Sequence, residues 1–227
     1  MKPIYEPKGA AKEYGDLALN IYTGCPHRCF YCFAPNVLRR DREEFHSHIE
    51  PRPGIIEATR QQIEREGITG KTIHLCFTCD PYPTGYDSSA TREIIKILKE
   101  SGNHVQILTK GSGIRDFDLL DQDDWYGITF DGSRRDDTYL RQELKIAHKK
   151  GIKTWISFEP VIDEDRVIGF LRFVTEERVV DKVKIGKLNY HPSKIDWKSF
   201  GLRIEKLCQE IGIDYYIKDS LRKEMQK

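Results

Sequence analysis

Apolar residues along the chain alternate between two periods. Short β-branched and aromatic runs at Leu17–Tyr22, Thr72–Thr78, His104–Lys110, Trp125–Phe130, Lys153–Glu159, Lys182–Gly186 and Asp214–Lys218 predict strands. Between them, Ile55–Arg65, Thr91–Glu100, Asp137–Lys149, Glu164–Val174 and Ser199–Ile211 repeat apolar positions three and four residues apart, the stripe of a helix lying on a sheet. Gly67, Gly102, Gly151 and Gly212 stand where these helices should end, a place that favours a residue free to turn left-handed.

Strand and helix in alternation, at roughly 25 to 30 residues per unit, predict parallel strands joined by right-handed crossovers. The pattern is α/β, and an open, partial (β/α)6 barrel with outer helices is the architecture expected; a doubly wound sheet is the alternative. In either, functional residues belong at the carboxyl ends of the strands. No linker or low-complexity stretch interrupts the 227 residues, so one domain is expected, with a segment from about 187 to 227 closing its open side.

Composition narrows the function. Hydrophobic residues make up 38% and charged residues 32%, with no apolar run near the ~20 residues a bilayer span requires. The opening run Met1 to Glu6 has no apolar stretch of a secretory signal, so a cytoplasmic protein is expected, with six cysteines kept as thiols or metal ligands. Basic residues number 37 and acidic residues 36, which gives no global field for a nucleic-acid polymer and favours a small substrate. The basic run Lys182 to Lys206 and the acidic run Asp121 to Asp137 read as solvated faces.

The chemistry concentrates after the first predicted strand, in Thr23-Gly24-Cys25-Pro26-His27-Arg28-Cys29-Phe30-Tyr31-Cys32-Phe33-Ala34. Three thiols within eight residues suit an iron–sulfur cluster, and three ligands for four irons leave one iron open to a second molecule. A zinc site completed by His27, His46 or His48 is an alternative, as are a disulfide or inert thiols.

The C-x3-C-x2-C spacing of Cys25, Cys29 and Cys32, with the aromatic Tyr31 before the third cysteine, resembles the radical S-adenosylmethionine (SAM) superfamily. That resemblance implies a [4Fe–4S] cluster held by the three cysteines, SAM as cofactor, a 5′-deoxyadenosyl radical that abstracts hydrogen from substrate, and an electron donor such as flavodoxin or ferredoxin. Further motifs are similar to the branch that contains spore photoproduct lyase: Tyr5-Glu6-Pro7-Lys8-Gly9, Leu17-Ala18-Leu19-Asn20, Cys76-Phe77-Thr78-Cys79-Asp80-Pro81-Tyr82, Leu108-Thr109-Lys110 and Ser157-Phe158-Glu159-Pro160.

Carried over residue by residue, the resemblance places Tyr31, Thr78, Cys79, Asp80 and Lys110 at SAM, with Asp80 accepting from its ammonium and Lys110 pairing with its carboxylate. Thr129, Asp131 and Ser133 fall to the ribose. Cys79 and Glu159 are the candidate catalytic groups, and Asn20, Tyr82, Glu159, Lys187, Asn189, Tyr190, His191 and Lys218 the candidate substrate contacts. Cys76 and Cys208 read as core thiols. Spore photoproduct lyase carries a hydrogen-donating cysteine where this chain has Phe77, which argues against dimer repair. Small relatives in the branch include enzymes that cleave the modified base queuine to 7-aminomethyl-7-deazaguanine, so a lyase acting on a free nucleobase-like molecule is expected, its ring stacked near Tyr190 or His191. A DNA or RNA lesion lyase and a non-enzymatic metal-binding module are the alternatives.

Overall fold

The computed structural model describes residues 2–133 and 137–227. Met1 of the opening run and Arg134, Arg135 and Asp136 of the acidic run lie outside them. The chain divides into two compact units, Met1–Trp125 and Tyr126–Lys227.

In the first unit, β1 (Ile4–Tyr5) runs antiparallel to β2 (Leu17–Leu19). After β2 come two short helices, α1 (Ala34–Leu38) and α2 (Arg42–Ser47), and the longer α3 (Ile55–Glu66). Strand β3 (Thr72–Leu75) pairs in parallel with β2 and with β4 (His104–Thr109), with α4 (Ser89–Glu100) between β3 and β4. The apolar stripe of α4, Ile94, Ile95, Ile97 and Leu98, is buried, as are Ile73, Leu75, Val105 and Ile107 of the two strands. Truncating one of these isoleucines to alanine would cost about 2–5 kcal/mol.

The second unit repeats the plan in the order β5 (Trp125–Thr129), α5 (Thr138–Lys149), β6 (Lys153–Phe158), α6 (Glu164–Glu176), β7 (Lys182–Ile185), α7 (Trp197–Ile211), β8 (Asp214–Ile217) and α8 (Asp219–Met225). Strands β6, β7 and β8 are parallel neighbours. Trp155, Ile156, Phe158, Val183 and Ile185 fill the core with Phe170, Leu171, Phe200 and Ile204 from α6 and α7. Gly127 is required here, because a Cβ would lie 2.1 Å from the Trp155 indole nitrogen.

All seven expected strands and five expected helices are present; β1, α1, α2 and α8 are additional, as are 3-10 turns at Gly9–Glu13 and Ile114–Asp116. Two strands, β2 and β3, end three residues earlier than the hydrophobic run suggested, the others one. The ladder closes with Cys76 N–H donating to Leu19 O at 2.8 Å, and the next two amides, Phe77 and Thr78, donate instead to the Asn20 side-chain oxygen at 2.8 and 2.9 Å. Asparagine thus substitutes for the ladder and turns both chains into loops at the carboxyl ends of β2 and β3.

Candidate functional site

The cysteine loop leaves the end of β2 and is clasped by α2. Cys25 N–H donates to Phe45 O at 3.2 Å, and His46 Nδ1 lies 2.7 Å from Cys25 O. The Arg42 guanidinium donates to Cys32 O at 2.8 Å and to Cys29 O at 3.4 Å, while Arg40 donates to Thr23 O at 2.5 Å. Asp41 caps α2 by accepting from Glu44 N–H at 2.9 Å, which fixes the helix that does the clasping. Gly24 permits the close approach: a Cβ there would lie 2.3 Å from Phe45 O and 2.6 Å from His48 O.

Cys25, Cys29 and Cys32 are free thiols of intermediate exposure. Burial, followed by the charge of Asp80, pushes the Cys25 thiol well above its ordinary pKa, and burial raises Cys32 as well. Such thiols give up their protons when a cation arrives, so the donor set is one that metal completes. Among the described residues, the trio of metal-ligating side chains whose ligand atoms all lie within 4.8 Å of one another is His104, Asp121 and Asp123. Each histidine of the zinc alternative has another neighbour. His46 is turned to a backbone carbonyl, His48 lies 3.4 Å from Glu50, and His27 Nε2 lies 3.0 Å from Asp80 Oδ2.

Asp80 joins three segments. Its Oδ1 accepts from Tyr82 N–H at 2.8 Å and Thr109 Oγ1 at 2.5 Å, and its Oδ2 accepts from Lys110 N–H at 2.8 Å and sits at ion-pairing distance from His27, though poorly angled for a hydrogen bond. Burial works against the charged form, but His27, Thr109 and the Lys110 amide outweigh it and hold the carboxyl below its ordinary pKa. At 7% exposure, with both oxygens committed to protein donors, Asp80 is placed to hold the loops together rather than to project from them. Lys110 extends beyond that anchor, its ammonium 5.5 Å from the centre of the Tyr31 ring. Thr78 Oγ1 accepts from Arg52 at 3.4 Å, and Cys79 Sγ accepts from Tyr22 N–H at the same distance. Of the substrate contacts expected in this unit, Asn20 spends its side chain on the frame, donating to Tyr5 OH at 2.7 Å besides accepting the two loop amides. Tyr82 is an interior residue, 3% exposed, and Gly111 lies close against its backbone, where a Cβ would fall 2.0 Å from Tyr82 O.

In the second unit, Asp131 Oδ1 accepts from Ser133 N–H at 2.9 Å and from Ser133 Oγ at 2.6 Å, forming a local turn after β5; Thr129 is buried just before it. Glu159, after β6, accepts from Lys218 Nζ at 2.5 Å, after β8. Lys218 is only 2% exposed. Gly186, after β7, makes room for this pair, since a Cβ there would lie 2.9 Å from the Glu159 carboxyl carbon. Lys187 pairs with Glu224 at 2.5 Å, and Asn189 Nδ2 donates to Lys187 O at 3.3 Å. Tyr190 departs from the expectation of a stacking platform. It is 99% exposed in a left-handed conformation (φ 63°), and its neighbour His191 is exposed too, because this loop has no helix or strand to press it against a wall.

Three parts of the site were not foreseen: the Arg42 and His46 clasp, the His27–Asp80 pair, and the left-handed Cys76 (φ 71°). The sequence signal for the second was a histidine between two cluster cysteines. The other two leave no spacing pattern.

A three-thiol metal loop at the carboxyl end of a parallel strand, in an α/β fold, defines a metal-dependent enzyme with an open coordination site. The family model of the Radical SAM superfamily matches residues 19–164, and the chain belongs to that superfamily. Its cofactors are accordingly a [4Fe–4S] cluster and SAM, which the donor set of Cys25, Cys29 and Cys32 fits, and the non-enzymatic module is set aside. Among solved structures, a spore photoproduct lyase double mutant with bound AdoMet and dinucleoside spore photoproduct superposes with a TM-score of 0.70 at 10% identity, covering 93% of this chain and 78% of that one. Streptococcus suis SuiB bound to S-adenosylmethionine gives 0.62 at 13% identity, covering 88% and 50%. The fold of these neighbours, the partial (β/α)6 radical SAM barrel, is the fold expected for this chain. Uncharacterized proteins of Mycobacterium bovis and Mycobacterium tuberculosis are 31% identical over 102 residues, 43% of this chain. The match spans about 30% of the length of those relatives. Among the described residues no helix is long and apolar enough to cross a membrane.

Proposed function

We propose that the chain is a radical SAM lyase acting on a small nucleobase-like molecule, with queuine, cleaved to 7-aminomethyl-7-deazaguanine, as its first candidate substrate. The observation that carries this reading is the Glu159–Lys218 pair, with Lys218 buried and Glu159 half-buried against Gly186, at the carboxyl ends of β6, β7 and β8. A carboxylate beside an ammonium offers an acceptor and a donor side by side, which is what the N–H and carbonyl edge of a deazaguanine requires. The near balance of 37 basic and 36 acidic residues supports a small substrate over a polymer.

When bound, the cluster and SAM supply a 5′-deoxyadenosyl radical. Cys25, Cys29 and Cys32 hold the cluster, Lys110 and Tyr31 orient SAM, and Asp80 positions Lys110 through its backbone amide. Thr129, Asp131 and Ser133 are assigned to the ribose, and Glu159 with Lys218 to the base. Cys79 is assigned to the edge of the SAM site. An electron donor such as flavodoxin or ferredoxin supplies the reducing equivalent.

The second reading, a DNA or RNA lesion lyase, is favoured by the likeness to a spore photoproduct lyase crystallised with a dinucleoside photoproduct. One assay separates them: anaerobic, reduced enzyme is given SAM with queuine, guanine or a spore-photoproduct dinucleotide, and 5′-deoxyadenosine is measured. Queuine should raise its formation at least ten-fold over enzyme without substrate. Coupling to the dinucleotide alone overturns the nucleobase reading in favour of lesion repair.

A further inference from the structure

The acidic run that begins at Asp121 reads from sequence as a solvated face, and the reaction centre gives it no role. In the fold its first carboxylates meet a histidine. His104 opens β4, so it stands at the amino ends of the strands, the opposite end from the cysteine loop. Its backbone N–H donates to Lys71 O at 2.8 Å, which fixes it beside β3. Asp121 and Asp123 lie in the turn that leads into β5. One carboxylate oxygen of each and one ring nitrogen of His104 fall within 4.8 Å of one another.

The turn is held in place by its own bonds. Asp124, fully buried, accepts from Val105 N–H at 2.8 Å, and Val105 is the residue after His104, so the turn is fastened to the strand beside the imidazole. Asp124 Oδ2 accepts from Asp121 N–H at 2.9 Å, and Asp121 Oδ1 accepts from Asp123 N–H at 2.9 Å, a bond that aspartate commonly makes in tight turns. The Lys99 ammonium donates to Asp121 Oδ2 at 2.8 Å and to Asp124 Oδ2 at 2.6 Å. Partial burial works against the charged form of Asp121, but Lys99 and the Asp123 amide outweigh it and hold the carboxyl below its ordinary pKa. Asp121 is therefore a charged ligand at neutral pH. Its turn sets three carboxylates against the one ammonium of Lys99.

A second observation is independent of the acids. Among the described residues, His104 Nδ1 is buried and has no hydrogen-bond partner. A polar atom withdrawn from water is nearly always bonded to protein, water or an ion, and an exception calls for one of them. Neutral imidazole is also the commonest metal ligand. Two ligands each about 2.1 Å from one ion stand about 3.4–4.2 Å apart, so atoms already within 4.8 Å need only a small turn of the exposed aspartates to close on it. One imidazole with two carboxylates suits zinc, whereas calcium and magnesium prefer oxygen alone.

We propose that His104, Asp121 and Asp123 bind a divalent cation of the zinc type, which joins the amino end of β4 to the turn before β5. Three protein ligands leave a tetrahedral ion one position short, and water fills it. At the far end of the strands from the cluster, the ion braces the first unit: a cation that binds the folded chain and not the unfolded one favours the folded state.

The test uses anaerobic, cluster-loaded protein, in which Cys25, Cys29 and Cys32 are already committed, stripped of adventitious metal by a chelator and titrated with zinc chloride in a calorimeter. One zinc per chain should bind, and its affinity should fall at least ten-fold in His104→Ala and in Asp123→Asn, with circular dichroism unchanged in both. In zinc-soaked crystals, the anomalous signal gained across the zinc edge, which cluster iron does not supply, should lie between His104 and the two aspartates. Equal affinity in wild type and both variants, a zinc signal at other residues only, or no zinc bound at millimolar concentration overturns the proposal. Neither measurement involves SAM or turnover, so its failure is separable from failure of the substrate reading.

Discussion

The loop of residues 23–33 and the loop of residues 187–196 both follow parallel strands, yet they are built in opposite ways. The first has its carbonyls gripped by Arg40, Arg42 and His46, its glycine wedged under Phe45 and His48, and its histidine against a buried aspartate. The second hangs from the Lys187–Glu224 pair and one amide contact of Asn189, and it presents Tyr190 wholly to solvent. A loop that must hold an inorganic cluster in one geometry needs every backbone group accounted for before the cluster arrives. A loop without that duty can leave its aromatic side chain unpacked. The contrast is between a loop fixed from several sides and a loop left largely to solvent.

The contrast is broken most completely at the cysteines. Cys29→Ala should reduce bound iron from about four per chain to near zero and abolish 5′-deoxyadenosine formation, as measured by iron analysis and chromatography after anaerobic reconstitution. Retention of iron and SAM cleavage would remove Cys29 from the donor set. A smaller effect is expected at Asp80, the knot between segments. Asp80→Asn should destabilise the protein at pH 7 by about 3 kcal/mol, the usual cost of stripping the charge from a buried pair. Because the carboxyl of Asp80 titrates below its ordinary value in the folded chain, its contribution is present above the unfolded value of about 3.9 and is lost as pH falls through the lower, folded one. The gap between wild type and variant in urea midpoints should therefore begin to narrow as pH falls below about 4 and close only below the folded value; a gap that does not narrow across that range would assign the effect to shape instead of charge. Least is expected at Tyr190. Tyr190→Ala should shift stability by no more than about 0.5 kcal/mol, since the ring touches little, and a larger loss in thermal unfolding would show that the loop is packed after all.

What could be read from the sequence followed its periodicity. Helices α3 to α7 have apolar stripes that face a sheet, so their boundaries fell within two residues of the structure. The short α1 and α2 could not be read that way. Their residues serve polar ends, such as the Arg42 guanidinium on the carbonyls of Cys29 and Cys32, and a five- or six-residue helix has no stripe to display. The site divides likewise. The cysteines announce themselves by spacing, but the employment of Asp80 and Asn20 depends on which amides the ends of β3 and β4 leave unpaired, and only the folded ladder decides that. The exposure of Tyr190 was hidden for the opposite reason, because nothing local distinguishes an aromatic ring awaiting a wall from one that has found it.

The bonds of Asp80 also set an order of events during synthesis. His27 emerges from the ribosome more than fifty residues before Asp80 and more than eighty before the Lys110 amide, and all three must be present before the cysteine loop is fixed from behind. Until β4 has been made, the nascent loop has its clasp from α2 but lacks the Asp80 anchor behind it. Iron delivered at that stage would meet ligands without geometry, so faithful maturation belongs after the first unit has closed. Slowing translation between β2 and β4 should lower the yield of correctly metallated enzyme without altering a single residue of it.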